Sequence, residues 1–206
     1  MTEPFPDDDG YRQGLQILEW EAEFEASRVN GWSPGYDQMP ALIAARDLKR
    51  GAELGVAFGW HAHAMLQVPT LDKLYLVDRW QHVEGYADLM NQNPPEKFEA
   101  MYHFVCKKMH PFGPRAEILR METSAAAVLM PDGSLDFIYV DAEHTPDAVA
   151  RDLRGWCSKV RPGGIIAGHD WQNGFGIEDE IVACAREHGV QSLHIGRCNF
   201  WYFIKG

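Results

Sequence analysis

The sequence predicts an α/β fold in which a doubly wound, mostly parallel sheet carries helices on both faces. Short apolar runs, rich in β-branched and aromatic residues, alternate along the chain with longer amphipathic patterns typical of helices. The last two apolar runs, residues 191–195 and 200–204, are separated only by Gly196 to Asn199. This link is short enough for an antiparallel hairpin, whereas strands joined through helices must run parallel.

The N-terminal part of the chain predicts helices rather than strands. Residues 1–10 are acidic and interrupted by proline, so we expect them to be disordered. Residues 11–50 form N-terminal helices, the first over Tyr11–Asn30 and the second beginning near Tyr36. In the glycine- and proline-containing break between them, Trp32 is either part of a lid over a pocket or an aromatic side chain that holds a loop to the core.

From residue 51 onward, predicted strands and helices alternate. The strands begin at Gly51 and then cover Leu74–Val77, Ala116–Leu119, Phe137–Val140 and Ile165–Gly168. The helices cover Trp60–Gln67, Thr123–Met130, a segment capped by Thr145, and Ile177–His188. Residues 79–114 interrupt the alternation as a long insertion, in which a further helix begins near Asn93.

The stretch from Leu135 to Trp171 is a strand–helix–strand unit, and the rest of the sheet is organised around it. Thr145 is a suitable N-cap, and Pro146 suits the first helical position. The helix presents one apolar stripe, formed by Val149, Leu153, Trp156 and Val160. The chain is expected to turn back at residues 161–164. The two parallel strands bring Asp141, His144, His169 and Asp170 to the sheet edge where open α/β folds bind ligands.

Composition excludes several classes of protein. The chain has 206 residues, which we interpret as a single domain over residues 1–206, and a formal net charge of −11. This acidity argues against a general nucleic-acid or anionic-membrane binder. No segment approaches the roughly 20 apolar residues that cross a bilayer. The four cysteines have no metal-type spacing, which favours free thiols and a cytoplasmic location.

The glycine turn after the first strand is the candidate cofactor site. Glu53, Gly55 and Gly59 form the pattern E-x-G-x-x-x-G, which is looser than the G-x-G-x-x-G of pyrophosphate-binding sites. Asp78 ends the next strand, where a carboxylate can accept hydrogen bonds from both hydroxyls of a ribose. Glu122, Thr123 and Ser124, after the third strand, either contact an adenine edge or belong to a helix cap.

Together, the segments ELGVAFG, LYLVD, LDFIYVDAEH and KVRPGGIIAGHDW resemble class I S-adenosylmethionine-dependent methyltransferases. The most similar type is the metal-dependent O-methyltransferases of small molecules, which include catechol and macrolide-sugar enzymes. The resemblance covers roughly Ala52 to the C-terminus. It implies a Rossmann-like, seven-stranded sheet with an antiparallel last strand, in agreement with the hairpin predicted from the residues.

The resemblance also implies roles for the residues at the carboxyl edge. Asp141 and Asp170 stand where the family holds a divalent metal, Mg²⁺ or Mn²⁺, and His144 stands where it carries a general base. His169 departs from the family's acidic or amide ligands and is a nitrogen ligand, a second base or a spacer. We count Asp141 among the cofactor-binding residues as well, together with Glu53, Gly55, Gly59, Asp78 and Ser124.

These observations predict an S-adenosylmethionine-dependent enzyme that methylates a hydroxyl of a small molecule, such as a sugar diol or a catechol. The insertion of residues 79–114 is expected to shape the acceptor pocket. The acidic surface predicts no nucleic-acid or membrane partner, and a homo-oligomer is compatible with the sequence. Two alternatives remain open, a cofactor-binding module without catalysis and a nucleotide-dependent oxidoreductase on a similar sheet.

Overall fold

The computed structural model of the chain describes residues 9–27, 35–190 and 192–206, without the side chains of residues 9–12. The helices are α1 (Asp9–Ser27), α2 (Gln38–Arg46), α3 (Trp60–Leu66), α4 (Pro95–Met109), α5 (Thr123–Leu129), α6 (Pro146–Trp156) and α7 (Glu178–Glu187). The strands are β1 (Arg50–Leu54), β2 (Lys73–Asp78), β3 (Ala116–Arg120), β4 (Leu135–Val140), β5 (Val160–Gly168), β6 (His194–Ile195) and β7 (Trp201–Ile204). Short 3₁₀ helices cover Met90–Gln92, His110–Arg115 and Cys157–Lys159.

The strands form one sheet in the order β3-β2-β1-β4-β5-β7-β6. The first five are parallel, and β7 is antiparallel to both β5 and β6. The predicted fold class, a seven-stranded and mostly parallel sheet with an antiparallel last strand, is confirmed. The chain runs outward in one direction from β1 to β3 and in the other from β4, so the strand order reverses between β1 and β4. Ligands bind at such reversal points in open α/β sheets.

Two hydrophobic cores, one on each face of the sheet, hold the helices in place. Side chains of β4 alternate between the two cores, because successive residues of a strand point to opposite faces. Phe137 and Tyr139 join the core under α1 to α4, whereas Ile138 and Val140 join the core under α5 to α7. Each core buries strand side chains against helical ones, so this sequence requires helices on both faces.

The strand–helix–strand unit differs from the prediction at the end of its helix and at its second turn. Helix α6 ends at Trp156, so Val160, expected in the helical stripe, instead begins β5. Thr145 Oγ1 accepts a hydrogen bond from the Ala148 amide and caps α6 as expected. The turn expected at residues 161–164 is instead an irregular part of β5, where the pairing with β4 shifts register between Leu135 and Phe137. Backbone hydrogen bonds from Gly163 to Lys205 and from Lys205 to Gly164 keep this segment in the sheet.

The described part of the N-terminal helix covers Asp9–Ser27 and so includes Asp9 and Gly10, which were expected to be disordered. The predicted end of this helix, at Asn30, lies outside the described residues. Residues 1–8 and Trp32 lie outside the described residues. Lys97 of α4 donates hydrogen bonds to Glu23 of α1 at 2.7 and 2.8 Å. None of the helices in the described ranges has the length and apolar character needed to cross a membrane.

Candidate active site

The carboxyl ends of β1, β2 and β4 border a cavity of about 230 Å³. Asp78, the last residue of β2, and Asp141, which follows β4, line it. Other wall residues come from the insertion between β2 and β3, including Met90, Phe98 and Met101. The cavity thus combines carboxylates at the sheet edge with an apolar wall from the insertion, which suits a small organic ligand with a few polar groups.

Asp78 holds the glycine turn in its conformation. Its Oδ2 accepts hydrogen bonds from the amides of Val56 and Ala57 at 2.9 and 3.0 Å, and its Oδ1 accepts one from Trp80 at 2.7 Å. Trp80 Nε1 in turn donates to the carbonyl of Ala57 at 2.9 Å. Each carboxylate oxygen has more than one lone pair, so the predicted contact with a ribose remains compatible with this arrangement.

The two glycines of the turn have different roles in the fold. Gly55 lines the cavity with φ +85°, and a Cβ there would lie 2.0 Å from the carbonyl oxygen of Asp141. Gly59 has φ +72° and precedes α3, and a Cβ there would meet Met109 rather than the cavity. Glycine is therefore needed at position 55 because the loop after β4 passes so close, and at position 59 because of the left-handed backbone.

Glu53 lies beneath the turn and pairs with a histidine of α3. His61 Nδ1 lies 2.7 Å from Glu53 Oε1, and both side chains are buried and line the cavity. Burial, reinforced by the nearby Asp141, raises the pKa of Glu53 well above its usual range, and burial lowers the pKa of His61 to about 4. Both shifts favour the uncharged forms of the two side chains. Glu53 Oε2 is buried with no hydrogen-bond partner among the described residues.

Four predicted residues meet at the ends of β4 and β5. His144 Nδ1 lies 3.0 Å from Asp170 Oδ2, and His169 Nδ1 lies 3.1 Å from Asp170 Oδ1 and 3.9 Å from Asp141 Oδ1. Asn173 also donates to Asp170 Oδ1, at 2.7 Å. Ligand atoms of Asp141, His144 and Asp170 all lie within 4.8 Å of one another. This geometry brings together the predicted base and both predicted acidic ligands.

The electrostatics of this cluster shift the pKa values of the two acids in opposite directions and raise that of one imidazole. Burial opposes ionisation of Asp170, but its contacts with His169 and His144 lower its pKa overall. Burial also opposes charge on His169, whereas the hydrogen bond to Asp170 and the proximity of Asp141 raise its pKa. Burial raises the pKa of Asp141, although His169 and His144 partly offset the shift. The two carboxylates therefore favour a proton on His169, which lies beside both of them.

The insertion contributes an ordered loop over His144. Asn91 is buried, accepts a hydrogen bond from the amide of Val83 at 2.7 Å, and donates to the carbonyls of Val83 and Tyr86 at 2.6 Å each. The hydroxyl of Tyr86 then accepts a hydrogen bond from the backbone amide of His144 at 3.0 Å. Burial raises the pKa of Tyr86 to about 12, so its hydroxyl stays protonated. The insertion thus contacts the predicted base directly.

The wall of the cavity beside β3 differs from the prediction. Ser124 is exposed on α5 and is not among the cavity-lining residues, whereas its neighbours Glu122 and Thr123 are. The Thr123 hydroxyl donates to Asp152, a buried carboxylate of α6 that also lines the cavity. Burial raises the pKa of Asp152 to about 6. Of the three residues predicted to meet an adenine edge, Glu122 and Thr123 therefore line the cavity and Ser124 does not.

Sequence reasoning missed several residues of the cavity. Asp152 stands three residues after Val149 and four before Trp156, so it is an acid at helical core spacing, and that pattern was a usable signal. His61, on the helix after the glycine turn, is buried against Glu53, and nothing in its local sequence indicates this pairing. Tyr86 lies in an irregular loop and Asn91 in a three-residue 3₁₀ helix, and neither segment has a periodicity that indicates which side chains point inward.

The sheet order, the cavity at the strand-order reversal and the acids at the strand ends together define the class I methyltransferase fold. A family model described as a methyltransferase domain matches residues 51–171, more than half of the chain. The chain therefore belongs to this methyltransferase family, and the resemblance noted in the sequence is confirmed. No curated protein sequence matches the chain.

Solved structures share the fold over most of this chain. The O-methyltransferase TomG from Streptomyces achromogenes, in complex with SAM, is 12% identical with a TM-score of 0.61 and full coverage of both chains. The O-methyltransferase from Bacillus cereus, in complex with SAH, is 12% identical with a TM-score of 0.58, covering 98% of this chain and 94% of that one. Spermidine synthase from Thermotoga maritima is 14% identical with a TM-score of 0.54, covering 82% and 56%. At these identities the likeness shows the fold alone.

Proposed function

We propose that the protein transfers a methyl group from S-adenosylmethionine to a hydroxyl group of a small molecule. The observation that carries this proposal is the pairing of His144, which lines the cavity, with Asp170: His144 Nδ1 lies 3.0 Å from Asp170 Oδ2. A carboxylate that accepts from Nδ1 orients the ring and leaves Nε2 to take a proton. A hydroxyl needs such a base because it is a poor nucleophile while protonated.

Several features support S-adenosylmethionine as the methyl donor. The chain belongs to a methyltransferase family, and the structures of TomG and the Bacillus enzyme contain SAM and SAH. Glu53 Oε2 is a buried acceptor without a partner in the described part of the chain, and a ligand ammonium group would satisfy it. Asp78, at the end of β2, remains our candidate for the ribose hydroxyls. Asp152 and Thr123 border the wall beside β3, where the adenine ring is expected.

When bound, S-adenosylmethionine supplies a methyl group on a sulfonium that is already activated. The chain then has two tasks, to position the acceptor in line with that group and to remove the hydroxyl proton. The insertion would position the acceptor, because Tyr86 and the side chains near it form the wall beside His144. His144 provides the second by accepting the proton at Nε2 while Asp170 stabilises the resulting imidazolium.

The residues at the strand ends also fit a divalent cation. Asp141 and Asp170 offer carboxylate oxygens, and a ligand atom of each lies within 4.8 Å of the other. They would hold Mg²⁺ or Mn²⁺, which would lower the pKa of the acceptor hydroxyl. With the metal held by the two acids, an acceptor with two neighbouring oxygens, such as a vicinal diol or a catechol, would suit the site best.

A substrate screen with labelled cofactor tests the proposed function. Catechols, glycosides, amines and RNA would be incubated with the protein and methyl-labelled S-adenosylmethionine, with Mg²⁺, with Mn²⁺ and with chelator. We expect O-methyl products from small hydroxyl compounds and none from RNA, because the net charge of −11 disfavours a polyanion. Transfer only to amines or RNA would refute the proposed acceptor class. Full activity in the presence of chelator would refute the proposed role of a metal.

A further inference from the structure

A second cluster of metal-ligating side chains lies away from the cavity, at the far end of α6. Cys157 Sγ and Cys184 Sγ are 3.1 Å apart, and Cys184 Sγ lies 3.9 Å from His188 Nδ1. Ligand atoms of all three side chains lie within 4.8 Å of one another. The 11 residues of α6 rise about 16 Å and separate this cluster from His144. The proposed methyl transfer uses none of the three residues.

The distances fit a tetrahedral site for a thiophilic cation. Zinc–sulfur bonds of about 2.3 Å and zinc–nitrogen bonds of about 2.0 Å place two sulfurs roughly 3.8 Å apart and a sulfur roughly 3.5 Å from a nitrogen. The observed separations of 3.1 and 3.9 Å lie on either side of these values. Shifts of less than about 1 Å would therefore make room for an ion.

The surroundings of the cluster also suit an ion of this kind. Both cysteines are buried, which keeps competing water away, whereas His188 is only half-buried and leaves one side open. Cys184 and His188 are four residues apart, at the end of α7, and so lie on the same helix face. His188 Nδ1 lies 3.0 Å from the carbonyl of Cys184, which also accepts the backbone amide of His188 at 3.2 Å. If the His188 ring turns toward a metal, the carbonyl of Cys184 therefore keeps its hydrogen bond from the backbone amide of His188.

We propose that Cys157, Cys184 and His188 form a binding site for a soft, thiophilic cation of the Zn²⁺ class, with water in the fourth position. Binding would release the two thiol protons, and two thiolates would neutralise the charge of a divalent ion. The ion would join the end of α6 to the end of α7. Lys205, next to the C-terminus, would be tied to the same unit because its ammonium donates to the carbonyl of Cys157 at 2.9 Å. This site does not depend on the proposed function.

Cadmium absorption on the full-length, reduced protein tests the proposal. Thiolate ligands give Cd²⁺ a charge-transfer absorption in the ultraviolet that carboxylate ligands do not give. Cd²⁺ bound at Asp141 and Asp170 would therefore not contribute to this absorption. We expect the band to saturate at one equivalent of Cd²⁺ and Zn²⁺ to displace it. Cys157→Ser and Cys184→Ser should abolish the band.

Matched variants distinguish this site from any other thiol. Cys106→Ser and Cys198→Ser remove the two cysteines outside the cluster and should leave the band unchanged. His188→Gln changes a half-buried side chain, and we expect it to weaken binding while the far-ultraviolet circular dichroism and the melting temperature without metal stay at wild-type values. Zn²⁺ should raise the melting temperature of wild type and not that of Cys184→Ser.

Three results would overturn the proposal. The first is no charge-transfer band in reduced wild type, and the second is a band that survives in a folded Cys184→Ser variant. The third is a Cys157–Cys184 disulfide in protein prepared without reductant, found by mass spectrometry, together with no band after reduction. That last outcome would show that the pair is a redox couple rather than a metal site.

Discussion

Replacing Asp78 by asparagine tests whether this carboxylate holds the glycine turn. Asp78 accepts hydrogen bonds from three backbone amides, those of Val56, Ala57 and Trp80. In Asp78→Asn, the remaining oxygen can still accept from the first two, but the new NH₂ group faces the amide of Trp80. One charge-assisted hydrogen bond is lost and a donor is left facing a donor.

The expected loss in the free energy of unfolding follows from the number of hydrogen bonds that the substitution affects. A hydrogen bond to a charged group contributes about 1.5–3 kcal/mol, so we expect Asp78→Asn to lower the free energy of unfolding by about 2 kcal/mol. The backbone of Trp80 has φ +44°, an uncommon conformation for a non-glycine residue, and this hydrogen bond helps to hold it. Affinity for S-adenosylhomocysteine should fall as well, because the displaced turn lines the cavity.

Urea unfolding and calorimetry with S-adenosylhomocysteine measure the two effects on the same preparations. Asp88→Asn is the matched control, since Asp88 also lines the cavity but accepts a single backbone amide from the described residues, that of Met90 at 2.7 Å. We expect this control to lose at most about 1 kcal/mol of stability. The reasoning fails if Asp78→Asn matches wild type in both stability and affinity, or if it loses no more than Asp88→Asn.

Three further predictions concern the cavity wall and the metal. The pKa of Asp152 is raised to about 6, so between pH 4 and pH 6 the folded state holds a proton that the unfolded chain has released. Wild type should therefore lose up to about 3 kcal/mol relative to Asp152→Asn as the pH rises through this window, and parallel urea curves would contradict this. Asn91→Ala should raise the KM for the acceptor without changing the affinity for S-adenosylhomocysteine, because the substitution removes three hydrogen bonds of the insertion loop. An unchanged KM would show that the loop does not shape the acceptor site. Chelator should abolish activity and Mg²⁺ or Mn²⁺ should restore it, whereas Asp141→Ala should stay inactive with either ion.

The sheet could be predicted from the sequence because its signals are local. The run Phe137–Val140 is apolar at every position, as a strand covered on both faces must be. Thr145 and Pro146 mark the start of α6 without reference to any other part of the chain. Parallel strands joined by a helix then place Asp141 and Asp170 at one edge, so the topology alone brought the predicted acids together.

The details of the site depend on contacts between distant residues, which local patterns do not reveal. Asp78 accepts hydrogen bonds from amides 21 and 22 residues away. These hydrogen bonds account for an acidic residue at this position as well as a ribose contact would. Tyr86 reaches His144 across 58 residues from a loop with no periodicity. Ser124 was named from its place after a strand, but the side chains toward the cavity are those of its neighbours.

The rate of methyl transfer in a His144→Gln variant tests the central claim most directly. Single-turnover rates would be measured with saturating cofactor, metal and acceptor, and His169→Gln would serve as the matched control from the same cluster. We predict that His144→Gln binds S-adenosylhomocysteine as wild type does while the transfer rate falls by roughly 10²-fold or more, the contribution typical of a general base. In His169→Gln, the transfer rate should fall much less. A His144→Gln variant that transfers methyl groups within a few-fold of the wild-type rate would contradict the assignment of His144 as the base.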